Sequence, residues 1–175
     1  MNAAQLNRVT HESFAYYRDG LVALLLDAVQ HGASVGFLAD IDMQQAERYF
    51  EEVRQCLVSG ELLLWVVGKD KEVLGSVQLG LCLKPNGLNR AEVQKLLVHS
   101  AARRRGLGLG QQLMQALELA ARQKQRGMLY LDTEAGSDAE VFYRSQGYSK
   151  AGEIPDYACG PDGAYRATAL YYKLL

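Results

Sequence analysis

The chain has 175 residues, of which 49% are hydrophobic and 22% are charged, and its formal net charge is −1. This length suits one domain with a substantial core, and so balanced a charge argues against nucleic acid as a partner, because no excess of cations can follow a phosphate backbone. The first residues are polar and no apolar run approaches membrane-spanning length, so we predict a cytoplasmic protein without a membrane partner.

Apolar residues recur at helical spacing in two segments near the start of the chain. They predict one helix from about Ser13 to Gln30 and a second that begins after the N-cap Asp42 and ends at Ser59-Gly60. A short strand precedes them, and three strands with turn signals between them follow as an antiparallel meander. These predicted strands are Leu6–Val9, then Leu62–Val67, Val73–Leu83 and Glu92–Val98.

The second half of the chain alternates strands and helices. A helix with Leu109, Leu113 and Leu117 on one face and a Glu118–Arg122 pair on the other leads to a strand. A right-handed crossover would place that strand parallel to 92–98. We therefore predict a mixed α/β (α+β) domain over residues 1–175, with helices on both faces of one sheet. The remaining predicted elements are the strands Met128–Asp132, Ser149–Ile154 and Ala167–Leu174 and the short helix Asp138–Ser145.

The loop before the crossover helix is the strongest functional signal in the sequence. It reads Arg103-Arg104-Arg105-Gly106-Leu107-Gly108-Leu109-Gly110. Glycines let backbone amides come close to a ligand, and a helix N-terminus adds unpaired N–H donors and a positive dipole end. We interpret the segment as an anion site for phosphate, with one or two of the arginines near the anion because successive loop side chains diverge.

Two common nucleotide motifs do not fit this loop. A P-loop needs a lysine after its last glycine, whereas Gly110 is followed by Gln111-Gln112. A dinucleotide fingerprint has the spacing GxGxxG directly after a strand, whereas this loop has GxGxG and seven residues separate Val98 from Gly106. The spacing that does fit is Arg-x-x-Gly-x-Gly, read as Arg105, Gly108 and Gly110.

This loop, with Ala91-Glu92-Val93 before it and 141–148 (VFYRSQGY) after it, resembles the Gcn5-related N-acetyltransferase (GNAT) family. The resemblance implies a mostly antiparallel sheet of six to seven strands and acetyl-coenzyme A (acetyl-CoA) as the acetyl donor. It implies that the amides of 103–110 bind the pyrophosphate. It also implies that the backbone of Leu96, Leu97 and Val98 binds the pantetheine. Gly136 stands where the family often has an asparagine, so Ser137 is the candidate for that coenzyme contact.

The same resemblance assigns the chemistry. Tyr143 matches the family tyrosine that contacts the coenzyme and protonates the departing thiolate, and phenol and thiol have comparable model acidities. Glu92 and Asp132 are alternative bases for the amine, and either could instead bind the ammonium group of the substrate. Trp65 is a candidate for the acceptor pocket, with a place in the core as the alternative.

Four more segments resemble the tabtoxin-resistance branch, whose members acetylate a β-lactam amino acid toxin on its amine. We therefore expect direct acetyl transfer to a small-molecule amine. The alternatives are a protein or peptide N-terminal acetyltransferase and a non-catalytic acyl-CoA-binding sensor. No metal is expected, because the histidines and cysteines are dispersed; Cys82 as an acyl-carrying nucleophile is a further alternative, and the oligomeric state is not predicted. The four segments are 31–37, 62–67, 84–95 and 131–137.

Overall fold

The computed structural model describes residues 4–103 and 106–175, and these form one mixed sheet with helices on both faces. The strand order is β1-β2-β3-β4-β5-β7-β6, and every neighbouring pair is antiparallel except β4 with β5. This confirms the predicted fold class. The strands are β1 (Gln5–Val9), β2 (Leu62–Lys69), β3 (Glu72–Leu81), β4 (Arg90–Val98), β5 (Met128–Glu134), β6 (Ser149–Cys159) and β7 (Tyr165–Leu174).

The described helices are α1 (Phe14–Gln30), α2 (Met43–Ser59), α3 (Leu109–Gln123) and α4 (Asp138–Ser145). The predicted N-cap at the start of α2 is confirmed, because the Asp42 side chain accepts from the Gln45 amide and the Gln45 side chain accepts from the Asp42 amide. Gly60 closes that helix in the left-handed conformation, which a glycine adopts without steric cost.

The core has two layers, one on each face of the sheet. Alternate residues of β2 point to opposite faces, so Trp65 packs with α3 while Leu64 packs with α1 and α2. This is why β2 reads as a continuous apolar run rather than an alternating one: both of its faces are covered. The two layers hold the middle of the sheet rigid on either side of β4.

Several predicted details are wrong. Gly75 and Gly80 predict bends or bulges in β3. Gly80 pairs regularly with Leu62, whereas Gly75 adjoins the irregularity between the pairs Val67–Gly75 and Gly68–Val73; a second irregularity lies opposite Val77. Asn86-Gly87 is a pair that favours a tight turn between strands, but it lies in a single 3-10 turn from Pro85 to Gly87. Both closing strands are longer than predicted, because β6 and β7 pair with each other out to Cys159 and Tyr165.

The predicted Glu118–Arg122 pair on α3 is also replaced. The ammonium group of Lys173 on β7 donates to both carboxylate oxygens of Glu118 at 2.8 Å. Both side chains are partly buried, so the long-range partner displaces the exposed helical neighbour. The spacing within a helix could not reveal a cation that arrives from a strand 55 residues later.

Candidate active site

A cleft opens in the sheet where β4 and β5 separate. The two parallel strands pair only over Arg90–Glu92 with Met128–Tyr130. Beyond Glu92, β4 continues to pair with β3 but no longer with β5. The gap between β4 and β5 widens there into a cleft of about 1400 Å³. Parallel strands that diverge at their carboxyl ends leave a natural ligand site, because side chains and backbone groups from both strands face the opening.

A bulge in β4 lies at the edge of this opening. Gln94 pairs with Gln78 and Leu97 pairs with Ser76, so Lys95 and Leu96 together oppose Val77. Lys95 takes a φ of +47°, which is the left-handed region and is rare for a residue with a side chain. Leu97 and Val98 then continue the pairing with β3, and 93–98 line the cleft.

The glycine loop forms one end of the cleft. Gly106 and Gly108 have φ values of +69° and +62°, and no heavy atom of the described residues lies within 4 Å of the Cβ that either would carry. Gly108 is the N-cap of α3, and among the described residues no side chain caps this helix end. The amides at the start of α3 therefore face an open space, as the anion-site interpretation requires.

Gly110 is needed for a different reason. A Cβ at this position would lie 3.2 Å from the ring of Phe142, so the absence of a side chain lets the first turn of α3 pack closely on α4. The two helices border the same cleft, to which Gly110 and Phe142 both contribute. Close packing of α3 on α4 thus ties the glycine loop to the helix that carries Tyr143.

The three arginines are placed unequally. Arg103 lines the cleft, and its Nε–H donates to the carbonyl of Val98 at 2.7 Å, so this bond closes the loop back onto β4. Arg104 and Arg105, both predicted to bind the coenzyme, lie outside the described residues. The carbonyl of Val98, predicted to bind the pantetheine, therefore already accepts a hydrogen bond within the protein.

An anchor for the loop comes from a residue that the sequence did not indicate. The carboxylate of Asp27 on α1 accepts from the Ser100 amide at 2.8 Å and from the Ser100 hydroxyl at 2.6 Å. Partial burial opposes ionisation, but the hydrogen bonds from Ser100 outweigh it and lower the pKa of Asp27. His31 and His99 also face this carboxylate, at 3.3 Å and 3.8 Å.

Tyr143 lies in the wall of the cleft opposite β4. The side chain is 8% exposed, and its ring packs edge-on against Phe142 and Tyr148. Burial, with a smaller contribution from Asp132, raises the pKa of Tyr143 far above its ordinary value, so the phenol stays protonated across the physiological range. The similar acidity of phenol and thiol that the sequence suggested therefore does not hold for the free protein.

The two candidate carboxylates lie on the two strands that diverge. Glu92 is at the last position of β4 that pairs with β5, and one of its oxygens accepts from the Gln94 side chain at 2.7 Å. Asp132 is exposed on β5, two residues beyond the last position that pairs with β4, and its charge acts on both Tyr143 and Lys95. Both carboxylates line the cleft.

Ser137 and Trp65 are placed differently from each other. Ser137 lines the cleft, but its hydroxyl donates to the carbonyl of Glu134 at 2.6 Å, so its proton is already engaged. Trp65 is 5% exposed and belongs to the core beneath α3, and it is not among the described residues that line the cleft. The proposed substrate contact of Trp65 is therefore replaced by a core position, because β2 is covered on both faces.

Other cleft residues escaped the sequence reasoning. Tyr49 on α2 lines the cleft, and its hydroxyl donates to the Gln78 side chain at 3.0 Å. Burial raises the pKa of Tyr49 to about 12. The loop 31–38 and the end of β6 near Tyr157 complete the walls. No motif marks Tyr49 or Tyr157, because both lie far along the chain from the glycine loop, and 31–37 is marked only by its likeness to the tabtoxin-resistance branch.

The described residues contain neither a candidate metal site nor a membrane-spanning helix. Residues 4–103 and 106–175 contain no group of three or more His, Cys, Asp or Glu side chains placed to hold a metal ion. None of the helices in that part of the chain is both long and apolar enough to cross a membrane.

Comparison with known proteins identifies the family. The acetyltransferase (GNAT) domain family matches residues 60–150, which include the β4 bulge, the glycine loop and Tyr143. The fold is similar to an N-acetyltransferase from Staphylococcus aureus Mu50, with a TM-score of 0.78, 18% identity and coverage of 99% of both chains. It is also similar to the ribosomal-protein-alanine N-acetyltransferase from Brucella melitensis (TM-score 0.77, 22% identity, 98% and 99% covered).

A third similar structure was solved with a coenzyme. It is yncA from Salmonella typhimurium with its cofactor acetyl-CoA (TM-score 0.75, 19% identity, 99% of this chain and 95% of that chain covered). Taken with the family match, the fold defines the class of protein. The chain belongs to the GNAT family and is an N-acetyltransferase that uses acetyl-CoA as its donor.

Proposed function

We propose that residues 1–175 form one acetyltransferase domain that transfers acetyl directly from acetyl-CoA to the amine of a small molecule. The observation that carries this proposal is the opening between β4 and β5, where Tyr143, Glu92 and Asp132 all line one continuous cleft. The cleft runs from the uncapped end of α3 to these carboxylates, so a donor and an acceptor can enter from different sides.

The residues present fit the coenzyme. The open space beside Gly106 and Gly108 and the unpaired amides at the start of α3 suit a pyrophosphate, and Leu107, Leu109 and Gly110 continue that surface. Leu96 lies in the bulge of β4, and it and Leu97 would hold the pantetheine through their backbone groups. Arg103 would contribute positive charge from the loop, and Arg104 and Arg105 stay candidates for the same role. Bound acetyl-CoA supplies an activated thioester.

The protein residues divide the proton transfers between them. A carboxylate, Asp132 or Glu92, accepts the proton of the ammonium group, which makes the nitrogen nucleophilic. Nitrogen attacks the thioester carbonyl, the carbon–sulfur bond breaks, and the Tyr143 hydroxyl donates its proton to the departing sulfur. The nitrogen releases its second proton to solvent as the amide forms, and a proton from solvent restores the Tyr143 hydroxyl. Because burial raises the pKa of Tyr143, the phenol is protonated before the reaction and its proton is available to the departing sulfur.

The acceptor is proposed from several observations. The likeness of 31–37, 62–67, 84–95 and 131–137 to the tabtoxin-resistance branch supports an amino-acid-like toxin or antibiotic, and hence a role in resistance. The name of the Brucella melitensis neighbour favours a protein N-terminus as the second candidate. Tyr143 together with two carboxylates argues against a non-catalytic sensor. The coenzyme contact of Ser137 stays a prediction, and so do the cytoplasmic location and the reaction without metal.

The proposal is tested by a screen with a matched inactive variant. Wild-type protein and Tyr143→Phe are incubated with acetyl-CoA and a panel of amines that includes β-lactam amino acids, free amino acids and peptides with N-terminal alanine. We expect acetylated small amines by mass spectrometry, and a decrease in kcat of about 100-fold in the variant, the usual size of a general-acid contribution. Acetyl-CoA affinity should change less than twofold.

Each other outcome of the screen selects an alternative. Acetylated peptides without acetylated small amines would support the peptide enzyme. Acetyl-CoA binding without product in any set would support the sensor. Equal turnover in wild type and Tyr143→Phe would remove Tyr143 from the mechanism. A trapped acetyl-enzyme with ping-pong kinetics would contradict direct transfer.

A further inference from the structure

The bulge in β4 directs one cation into the acceptor side of the cleft. Lys95 lines the cleft between the strand positions of Glu92 and Leu96, and its φ of +47° is held by the register shift opposite Val77. Left-handed backbone at a residue with a side chain costs free energy, and such strain collects at functional sites. No glycine relieves it here, so the position keeps a long basic side chain in spite of the cost.

The ammonium group of Lys95 has no anionic partner among the residues that the structure describes. Among residues 4–103 and 106–175 no carboxylate lies within 4 Å of it to form an ion pair. It lies instead over the ring of Tyr49, 5.6 Å from the ring centre, and 3.8 Å from where a Cβ of Gly36 would be. A half-buried cation without a carboxylate partner is poorly compensated.

The cleft around Lys95 carries charges of both signs. Burial lowers the pKa of Lys95, while Asp132 on β5 and Glu92 on β4 itself act in the opposite direction. These two carboxylates are close enough to interact with the ammonium group but too far to pair with it. One cation and two anions therefore face the same volume, beside Tyr143.

We propose that Lys95 binds an anionic group of the acceptor, so that the substrate of this enzyme is an amine that also carries a carboxylate. The inference rests on the proposed acetyl transfer in the same cleft and names the residue that selects the acceptor. A simple amine would be repelled by Lys95, and a simple carboxylate by Glu92 and Asp132. A zwitterion places its ammonium group toward the carboxylates and its carboxylate toward Lys95.

The test compares acceptors that differ only in the carboxylate. Pairs of an amino acid and its C-terminal amide, such as L-alanine with L-alaninamide and β-alanine with β-alaninamide, are assayed with wild type and with Lys95→Met, Lys95→Arg and Lys84→Met. Lys84 is an exposed lysine outside the cleft and serves as the matched control. The measured quantity is the ratio of kcat/KM for the acid to kcat/KM for the amide.

We expect this ratio to fall by about 10- to 100-fold in Lys95→Met, the range for a lost hydrogen bond between charged groups. It should be largely retained in Lys95→Arg and unchanged in Lys84→Met. Because each ratio compares two acceptors in one protein, a general loss of activity cancels. An equal loss for acid and amide, or a rise in the KM of acetyl-CoA with no change in the ratio, would overturn the assignment.

Failure of the inference can be told from failure of the proposed function. If wild type acetylates amines without preference for acids, Lys95 does not select the acceptor but acetyl transfer stands. If wild type acetylates neither series, the proposed function fails first. Calorimetry with coenzyme A present then measures the equilibrium binding of L-alanine and L-alaninamide. Tighter binding of the acid by wild type, with the difference lost in Lys95→Met, supports the role of Lys95. Equal binding of acid and amide by wild type contradicts that role.

Discussion

At the scale of single residues, burial separates the roles of the polar side chains in the cleft. Tyr143 is buried and stays protonated, whereas Asp132 is exposed and faces both Tyr143 and Lys95. Glu92 is held by a hydrogen bond from Gln94. A base must reach the amine and release its proton to water, so the exposed carboxylate is the better candidate and Glu92 the better anchor.

This difference predicts unlike effects of two matched amide substitutions. Asp132→Asn should lower kcat by about 100-fold and remove the acidic limb of the pH–rate profile, because the general base is lost. Glu92→Gln should mainly raise the KM of the amine and leave the shape of the profile intact. Steady-state kinetics between pH 5 and 10, with the amine varied at saturating acetyl-CoA, checks both. The opposite pattern of effects would make Glu92 the base. Unchanged kinetics in both variants would mean that the amine arrives neutral from solvent.

At the scale of elements, the glycine loop and the end of α3 depend on backbone shape more than on side chains. Gly108 has a φ of +62° at the N-cap of α3, and a Cβ at Gly110 would lie 3.2 Å from the ring of Phe142. The loop is also held from outside, by Asp27 through Ser100 and by Arg103 through the Val98 carbonyl. Coenzyme binding should therefore be sensitive to changes that carry no charge.

A pair of glycine substitutions isolates this effect. Gly108→Ala should destabilise the fold by about 1 kcal/mol because of its left-handed backbone, and should also raise the KM of acetyl-CoA several-fold. Gly60→Ala has a similar φ of +77° and equally open surroundings but lies at the end of α2, outside the cleft. It should cost similar stability with no effect on acetyl-CoA. Thermal melts and acetyl-CoA titrations check both; an equal change in KM would show that general destabilisation weakens binding.

At the scale of the whole molecule, a buried carboxylate joins the helix of Tyr143 to the end of the sheet. Glu140 on α4 is 4% exposed and accepts from the Tyr171 hydroxyl of β7 and from the Gly136 amide at 2.7 Å. Lys150 of β6 lies 3.2 Å away. The hydrogen bond from Tyr171, then that from Gly136, lower the pKa of Glu140 to about 2.

The lowered pKa predicts how stability depends on pH. A carboxyl group with a depressed folded pKa adds stability above its unfolded pKa of 4.5 and loses it as the pH falls toward 2. Glu140→Gln should cost about 2 kcal/mol at pH 7, a Tm decrease of about 5 °C, and the difference from wild type should shrink below pH 4.5. Glu51→Gln, in an exposed pair with Arg54, should change little. A Tm difference that stays constant down to pH 2.5 would contradict the assignment.

The sequence alone determined the element order, the mixed sheet, the glycine loop and the candidate Tyr143. These follow from local periodicity, from turn residues and from a motif whose parts lie close along the chain. The left-handed Lys95, the Asp27 anchor, the core position of Trp65 and the Lys173–Glu118 pair were decided only by the tertiary structure. Each depends on which distant segment arrives beside it, and local spacing carries no information about that partner. The same holds for the separation of β4 from β5, which turns a loop motif into a cleft.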